Sequence, residues 1–264
     1  MKMPKELATL LAGDRWERDG VGLSPARVYR LTAADGTGKT RYLKRIDSRY
    51  FPTTYSVLRE ARVLRWLCNT LRVPEVLYAG AEKEAGFLLL SELRGRPLSR
   101  MADCGPEEAG KLTDLLAQSV RLFAGVPAEN CPFDSSLRMR LRELAYLLDS
   151  GLADADPAHW EPSCSFSSPA SLCRWLCGNR PDEDPVFSHG DLTPANILLA
   201  PEGPAFLDLA RAGRADRYCD IALCVREIRR HTQKERYLER FFSRLGLEPD
   251  WNKITYFTLL DELF

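Results

Sequence analysis

The sequence lacks any long apolar run. Its longest, GFLLLSEL over residues 86–93, is far too short to cross a bilayer. The opening MKMPKELATLLAG has no apolar core of the kind a secretory signal needs. Both absences lead us to expect a soluble cytoplasmic protein with no membrane partner. An excess of basic charge is missing too. Lysine plus arginine number 37, as do aspartate plus glutamate, and that balance argues against nucleic acid as a main partner. Histidine is scarce, with three in 264 residues, and none of the eight cysteines (68, 104, 131, 164, 173, 177, 219 and 224) forms a C-x-x-C pair, so no zinc site is expected. The cysteines are expected to be reduced and mostly buried as small apolar groups. No internal repeat or low-complexity stretch is present.

A complete phosphate-binding P-loop is also missing. Gly38-Lys39-Thr40 looks like the end of one, but the glycine that the pattern needs five positions earlier is Ala33. The residues that follow, RYLKRI, alternate as a strand does. The stretch therefore reads as a β-hairpin, VYRLTA up and TRYLKR down, with Asp35-Gly36 in the turn. That turn sets Val28 across from Lys44.

What is present falls into two parts. The first third reads as strands around one helix. TYSVLREARVLRWLC has Val57, Ala61, Leu64 and Cys68 at helical spacing, and PEVLYAG and AGFLLLSEL follow as two more strands. After Leu93, RGRPLSR is a polar break. Beyond it PEEAGKLTDLLAQSVRLFAGV and LRMRLRELAYLLDSGL are helical, with a single hairpin, NILLAPEGPAFLDL, between later helices. At 264 residues the chain suits either one large domain or two smaller ones packed together. We expect an α+β fold with a small antiparallel sheet lobe over residues 1–92 and a larger, mainly helical lobe over 93–264, with a ligand in a cleft between lobes.

The strongest chemical signal is FSHGDLTPANILL. His189, Asp191 and Asn196 match H-x-D-x-x-x-x-N, the catalytic-loop spacing of phosphotransferases. Asp208 ends the short apolar strand AFLD. If NILL and AFLD pair about Pro201-Glu202-Gly203, Asn196 comes to lie opposite Asp208. An amide oxygen and a carboxylate together suit magnesium, and Asp191 nearby could accept a hydroxyl proton. His189 is expected to be structural, bonding the loop backbone.

Such a site needs a cation for the nucleotide phosphates, held by a carboxylate on a helix. Glu60 falls on the apolar stripe of its helix, where a glutamate is expensive to bury alone, and Lys44 is its natural partner. Tyr42 shares Lys44's face by period two and either stacks on a nucleobase or packs in the core. The loop GLSPA, Gly22 to Ala26 with Ser24 at its centre, hangs beyond Lys44, where backbone amides could close over phosphates. At the far end, Ile254, Phe257, Leu260 and Phe264 recur at helical spacing, leaving Asp261, Glu262 and the Phe264 carboxylate as a negative cluster.

The chain resembles the aminoglycoside 3'-phosphotransferases, the kanamycin-kinase group with a protein-kinase-like fold. The matching stretches include GLSPARVYRL, YLK, DSRYFPTTYSVLRE, LLLSEL, LLDSGLADAD, VFSHGDLTPANIL, FLDLARAGRADRYCDIALCVREIR and PDWNKITYFTLLDELF. The resemblance implies that Asp191 is the catalytic base and that Asn196 and Asp208 hold Mg2+. It implies an ATP or GTP donor whose phosphates meet Lys44, positioned by Glu60. Tyr42 would stack on the base, with Ser24 over the phosphates and backbone groups near Ser91 and Leu93 on the base edge. Arg211 would lie near the transferred phosphate. Glu161, Asp261, Glu262 and the carboxylate of Phe264 would bind the amino groups of a polycationic substrate. A region near 134–180 would form a helical substrate loop, and a monomer is expected. The chain departs from the family's pattern at five positions. Ala210 stands where glycine is common, Ala158 and His159 where an acid and an amide are expected, and Arg230 and His231 where acidic residues are usual. A same-fold kinase with another hydroxylated acceptor and a nucleotide-binding module without catalysis are the rival readings.

Overall fold

The computed structural model describes all residues except 1–2, 21–23, 35–37, 102–104, 154–155 and 163. The chain divides into two compact units. The first is Met1–Arg96 with Leu198–Arg211, and the second is Pro97–Ile197 with Ala212–Phe264.

The first unit begins with helix α1 (Lys5–Leu10), then strands β1 (Arg15–Asp19), β2 (Arg27–Thr32) and β3 (Thr40–Asp47), helix α2 (Val57–Leu67), and strands β4 (Val76–Ala81) and β5 (Ala85–Ser91). The five strands form one antiparallel sheet in the order β1-β2-β3-β5-β4. Val28 pairs with Lys44, as the hairpin reading requires, while the proposed turn at Asp35-Gly36 lies outside the described residues. Two elements differ from expectation. β1 (RWERD) has one large apolar residue and is an edge strand, where charge is a common protection. α1 is six residues long and its Pro4 cap offers no side-chain bond, so neither carries a sequence pattern.

β5 is buried along nearly its whole length, which explains its continuous apolar run. Ala85, Phe87 and Leu89 join Leu43, Leu31, Leu7 and Leu11 in one core cluster. The alternate residues face α2, where a β-carbon on Gly86 would come within 2.9 Å of Val57 and 3.0 Å of Phe51. Glycine there lets the helix sit directly on the sheet. The chain then passes through β6 (Arg96–Pro97) into the second unit, and returns to the first with β8 (Ile197–Ala200) and β9 (Gly203–Phe206), which pair with each other.

The second unit contains α3 (Pro106–Ala124), α4 (Leu137–Asp149), α5 (Pro169–Gly178), α6 (Tyr218–Thr232), α7 (Arg236–Leu245) and α8 (Trp251–Asp261), with the antiparallel pair β7 (Pro185–Ser188) and β10 (Gly213–Asp216). α3 packs on α6 and α7, and α6 on α8. Buried Asp216 ties these elements together. It accepts the N–H of Asp184 at 2.8 Å, the N–H of Tyr218 at 2.7 Å and the ammonium of Lys253 at 2.6 Å. Ile254, Phe257 and Leu260 are buried as expected. Phe264 does not continue their stripe, however: α8 ends at Asp261, the buried residue beyond it is Leu263, and the Phe264 ring instead lies 4.0 Å beneath the Arg140 guanidinium. The described cysteines are free, but the expectation that most are buried fails. Only Cys224 is buried, and Cys68 and Cys177 are exposed. Among the described residues no helix is long and apolar enough to cross a membrane.

Candidate active site

Within the first unit, β3 sets the direction of Lys44. Leu43 pairs with Leu89 and points into the core cluster, so Lys44, paired with Leu88, points to the α2 side. Its Nζ donates to Glu60 Oε1 at 2.7 Å and also to Asp208 Oδ1. Glu60 is 2% exposed, on the buried face of α2 with Val57, Ala61, Val63, Leu64 and Leu67. Burial works against the Lys44 ammonium, but the Asp208 and Glu60 carboxylates outweigh it and hold Lys44 charged well above the ordinary lysine range. Burial likewise pushes the Glu60 carboxyl up, while the Lys44 ammonium and the Leu209 N–H act against it.

Asp208 follows β9 with φ of 56°. This left-handed conformation is one that aspartate tolerates better than most residues, and it turns the half-exposed carboxylate toward Lys44. Ala210, two residues on, lies in a short 3-10 turn and not in the positive-φ region, so its β-carbon does not strain the backbone. Arg211 is buried. Its Nη2 donates to the Tyr55 hydroxyl at 2.7 Å, with the guanidinium 5.0 Å from that ring's centroid. Tyr42 is half-buried on β3, paired with Leu90 and Arg30. The Ser91 N–H is given to the Glu75 carbonyl at 3.0 Å, and the Ser91 hydroxyl accepts the Glu75 N–H at 2.9 Å. Leu93 follows β5, half-buried. Of the GLSPA loop, Gly22 and Leu23 lie outside the described residues; the Ser24 hydroxyl accepts the Ala26 N–H at 3.2 Å.

Within the second unit, the loop after β7 presents Asp191. The side chain of Asp220, in the first turn of α6, accepts the backbone N–H of both His189 and Gly190 at 2.8 Å. Burial raises the Asp220 carboxyl, and His189 and the two N–H groups act against that rise. Gly190 has φ of 80°, which a glycine supplies without strain. His189 is fully buried, edge-on to Phe123, and its Nδ1 accepts the Asp191 N–H at 3.3 Å, so it serves the loop backbone as expected. The Asn196 amide donates to the Asp191 carbonyl at 2.9 Å and to Asp191 Oδ2 at 3.0 Å. Those bonds fix the amide with its nitrogen toward Asp191 and leave its oxygen as the atom able to meet a cation.

The same unit gathers the carboxylates assigned to substrate. Glu262 Oε2 accepts the Glu161 N–H at 3.1 Å, while its Oε1 is a buried atom with no hydrogen-bond partner. Burial raises the Glu262 carboxyl, opposed by the Glu161 N–H and Arg226. Asp261 accepts from Arg226 Nη1 at 2.8 Å. The cluster is thus not purely negative, as the sequence suggested, because two guanidinium groups lie inside it. Arg226 also reaches Glu227 at 3.4 Å, and Arg230 bonds both Glu227, at 3.0 Å, and Glu161. Burial disfavours the Arg226 charge, but Asp261 and its neighbours overcome this and raise its pKa. Ala158 and His159 lie exposed in a short 3-10 turn capped by Asp156.

The first unit thus has a cation held by a buried carboxylate and a second carboxylate at a strand end, the second unit has a carboxylate on a loop tied to α6, and each is a part that phosphoryl-transfer chemistry uses. The model of the Phosphotransferase enzyme family matches residues 15–257. The chain belongs to that family. Among the phosphotransferases it is similar to the aminoglycoside 3'-phosphotransferase of Enterococcus faecalis, at 43% identity covering 100% of this chain and 99% of that protein. The aminoglycoside 3'-phosphotransferase of Campylobacter jejuni is also 43% identical, over 92% of this chain and 94% of that one. A crystal structure of an aminoglycoside 3'-phosphotransferase of type VIII superposes with a TM-score of 0.80 at 29% identity, covering 98% of this chain and 97% of that one. The sheet-plus-helices architecture of the phosphotransferase is therefore the protein-kinase-like one.

Asp220, Arg226 and Glu227 were not singled out from the sequence. Glu227 carries the signal that exposed Glu60, a carboxylate beside apolar helix positions (Cys224 and Ile228), and is 5% exposed. Asp220 likewise sits among Ile221, Ala222 and Cys224. The amides that Asp220 holds and the Asp261 carboxylate that Arg226 holds lie far along the chain, which the local pattern does not reveal, whereas Glu227 is bonded within its own helix by Arg226, Arg230 and His231.

Proposed function

We propose that this phosphotransferase moves the γ-phosphoryl group of ATP or GTP to the 3'-hydroxyl of an aminoglycoside and so confers antibiotic resistance. The observation that carries the reading is the Lys44–Glu60–Asp208 constellation, a charged ammonium fixed by one buried and one half-exposed carboxylate. Lys44 meets the nucleotide phosphates, and Glu60 sets where its ammonium points. Arg211, already desolvated, stands ready for the transferred phosphate. The Asp191 carboxylate takes the proton of the attacking hydroxyl. The new bond forms between that oxygen and the γ-phosphorus, and the bond from γ-phosphorus to the bridging oxygen breaks, releasing the nucleoside diphosphate. A base so placed is worth about two to four powers of ten in rate.

The Asn196 amide oxygen and the Asp208 carboxylate are hard oxygen donors of the kind Mg2+ takes. When bound, the metal would neutralise charge on the phosphate oxygens. Tyr42 and backbone groups near Ser91 and Leu93 would receive the base, and Ser24 lies in the loop that would cover the phosphates. Glu161, Asp261, Glu262 and the Phe264 carboxylate would bind the acceptor's ammonium groups by charge-assisted hydrogen bonds. The orphaned Glu262 Oε1 fits this, since a buried acceptor left unbonded is uncommon without a missing partner. The enzyme would act as a cytoplasmic monomer. Phosphorylation replaces a hydroxyl of a cationic drug with a negative group.

A coupled assay of nucleoside diphosphate release over a panel of aminoglycosides tests the assignment. Turnover that Asp191→Ala removes, with nucleotide binding kept, is the expected result. Turnover only on uncharged hydroxylated acceptors would favour the second reading, a same-fold kinase for another acceptor, which the guanidinium of Arg230 within the carboxylate cluster supports.

A further inference from the structure

The two arginines in the carboxylate cluster are not equivalent. Arg226 is 16% exposed and holds Asp261 and Glu227. Its Nε lies 4.0 Å from Glu161, so it contributes little to that residue. Arg230 is 51% exposed, one helical turn further along α6, and its guanidinium bonds Glu161 and Glu227. If Arg230 were removed, Glu227 would keep Arg226 at 3.4 Å and His231 at 3.3 Å. Glu161 would lose its direct cation. Arg230 is thus the group whose departure uncovers a carboxylate, and its exposed, flexible stem allows that departure.

We infer that Arg230 is a specificity-determining residue, a tethered cation that occupies Glu161 and competes with an acceptor ammonium group for it. The inference rests on the proposed role of Glu161 and its neighbours as the acceptor wall. A guanidinium on the protein is present at a fixed, high local concentration, so an incoming amine must displace it before it gains a carboxylate. An acceptor that offers a hydroxyl there loses less by leaving Arg230 in place. Arg230 therefore sets how much the enzyme gains from each amino group, and it biases the enzyme against the most highly charged acceptors.

Steady-state kinetics with kanamycin and ATP test this on the full chain. Arg230→Ala and Arg230→Gln should lower the Michaelis constant for kanamycin about tenfold, the low end for one charge-assisted hydrogen bond at a half-exposed site. The turnover number and the Michaelis constant for ATP should not move, which separates competition for the acceptor from a general structural effect. Glu161→Gln should abolish the gain in the Arg230→Ala background, because the carboxylate that Arg230 uncovers is then missing. Arg230→Gln keeps the stem and a donor, so it preserves the test if the alanine variant folds poorly. An unchanged or raised kanamycin constant in folded Arg230 variants overturns the inference. Glu262→Gln is the control on the underlying reading. If it raises the kanamycin constant while the Arg230 variants do nothing, the wall stands and the competitor role falls. If Glu262→Gln and the Arg230 variants all leave that constant unmoved, the wall itself is wrong.

Discussion

Removing Glu60 tests the reasoning most directly. The Lys44–Glu60 contact is 2.7 Å long, with side chains 12% and 3% exposed. At that distance a unit charge pair at an effective dielectric of about 20 attracts by roughly 6 kcal/mol. Desolvation of both groups consumes most of that, and a charge-assisted hydrogen bond of this kind is worth about 1.5–3 kcal/mol net. Asp208 also contacts Lys44, so Glu60→Ala does not strand the ammonium; it lets Asp208 pull it off line. The expected loss in kcat/KM for the nucleotide is therefore about 10- to 100-fold, milder than for Lys44→Ala. Once Lys44 is gone, Glu60 has nothing left to orient, so the double variant should behave nearly as Lys44→Ala alone. The assay is coupled nucleoside diphosphate release over a range of ATP at saturating aminoglycoside, with thermal melting of each variant to confirm folding. A coupling energy of about 0.5–3 kcal/mol is expected. Strict additivity would refute the idea that Glu60 acts through Lys44.

Other perturbations probe the second unit. Asp191→Ala should reduce turnover by about two to four powers of ten while ATP affinity, measured by calorimetry, stays near the parent value; an equal collapse of both would mark the residue as structural. Asp220→Ala removes the carboxylate that accepts the buried His189 N–H and shares the Gly190 N–H with the Ser188 hydroxyl, and should destabilise the protein by about 1–3 kcal/mol in denaturant melts, with turnover of the folded fraction also reduced. Because burial raises the Glu262 carboxyl, its folded form binds a proton more readily than its unfolded form. Its contribution to stability is therefore present below the ordinary glutamate range and lost as pH rises through the folded value. Glu262→Gln removes that loss, so melting temperatures should shift in the variant's favour between acid and neutral pH, and a constant difference across that range would contradict the assignment.

Much of the first unit was readable because its signals are local. The hairpin register follows from alternation and a turn, and it places Val28 opposite Lys44. Glu60 betrayed itself as a carboxylate on an apolar stripe, and Lys44 was then the cation on the adjacent strand. The H-x-D-x-x-x-x-N spacing led to Asp191 and Asn196 for the same reason, since their mutual bonds span five residues. What escaped depends on residues far apart in the chain. Asp220 reaches back about thirty residues to the amides it holds, and Arg230 reaches 69 residues to Glu161. A list of carboxylates read from sequence does not show which of them the protein has already neutralised. The edge strand β1 and the short α1 escaped for the opposite reason: their pattern is too weak to distinguish from loop.

Helix α6 carries both kinds of group on a single rod. Asp220 in its first turn holds the loop of Asp191, and Arg230 near its end bonds Glu161. Ten residues of helix separate them, a rise of about 15 Å. On the proposed reading the helix works as a ruler between the carboxylate that serves as base and the arginine that competes with the acceptor for Glu161. A core substitution that let α6 slide along its axis would shift both ends together, and turnover and acceptor affinity would change in step. A change confined to the 157–159 turn near Glu161 would act on affinity alone. Variants selected for a new acceptor should then accumulate in that turn and at the end of α6, and spare the middle of the rod.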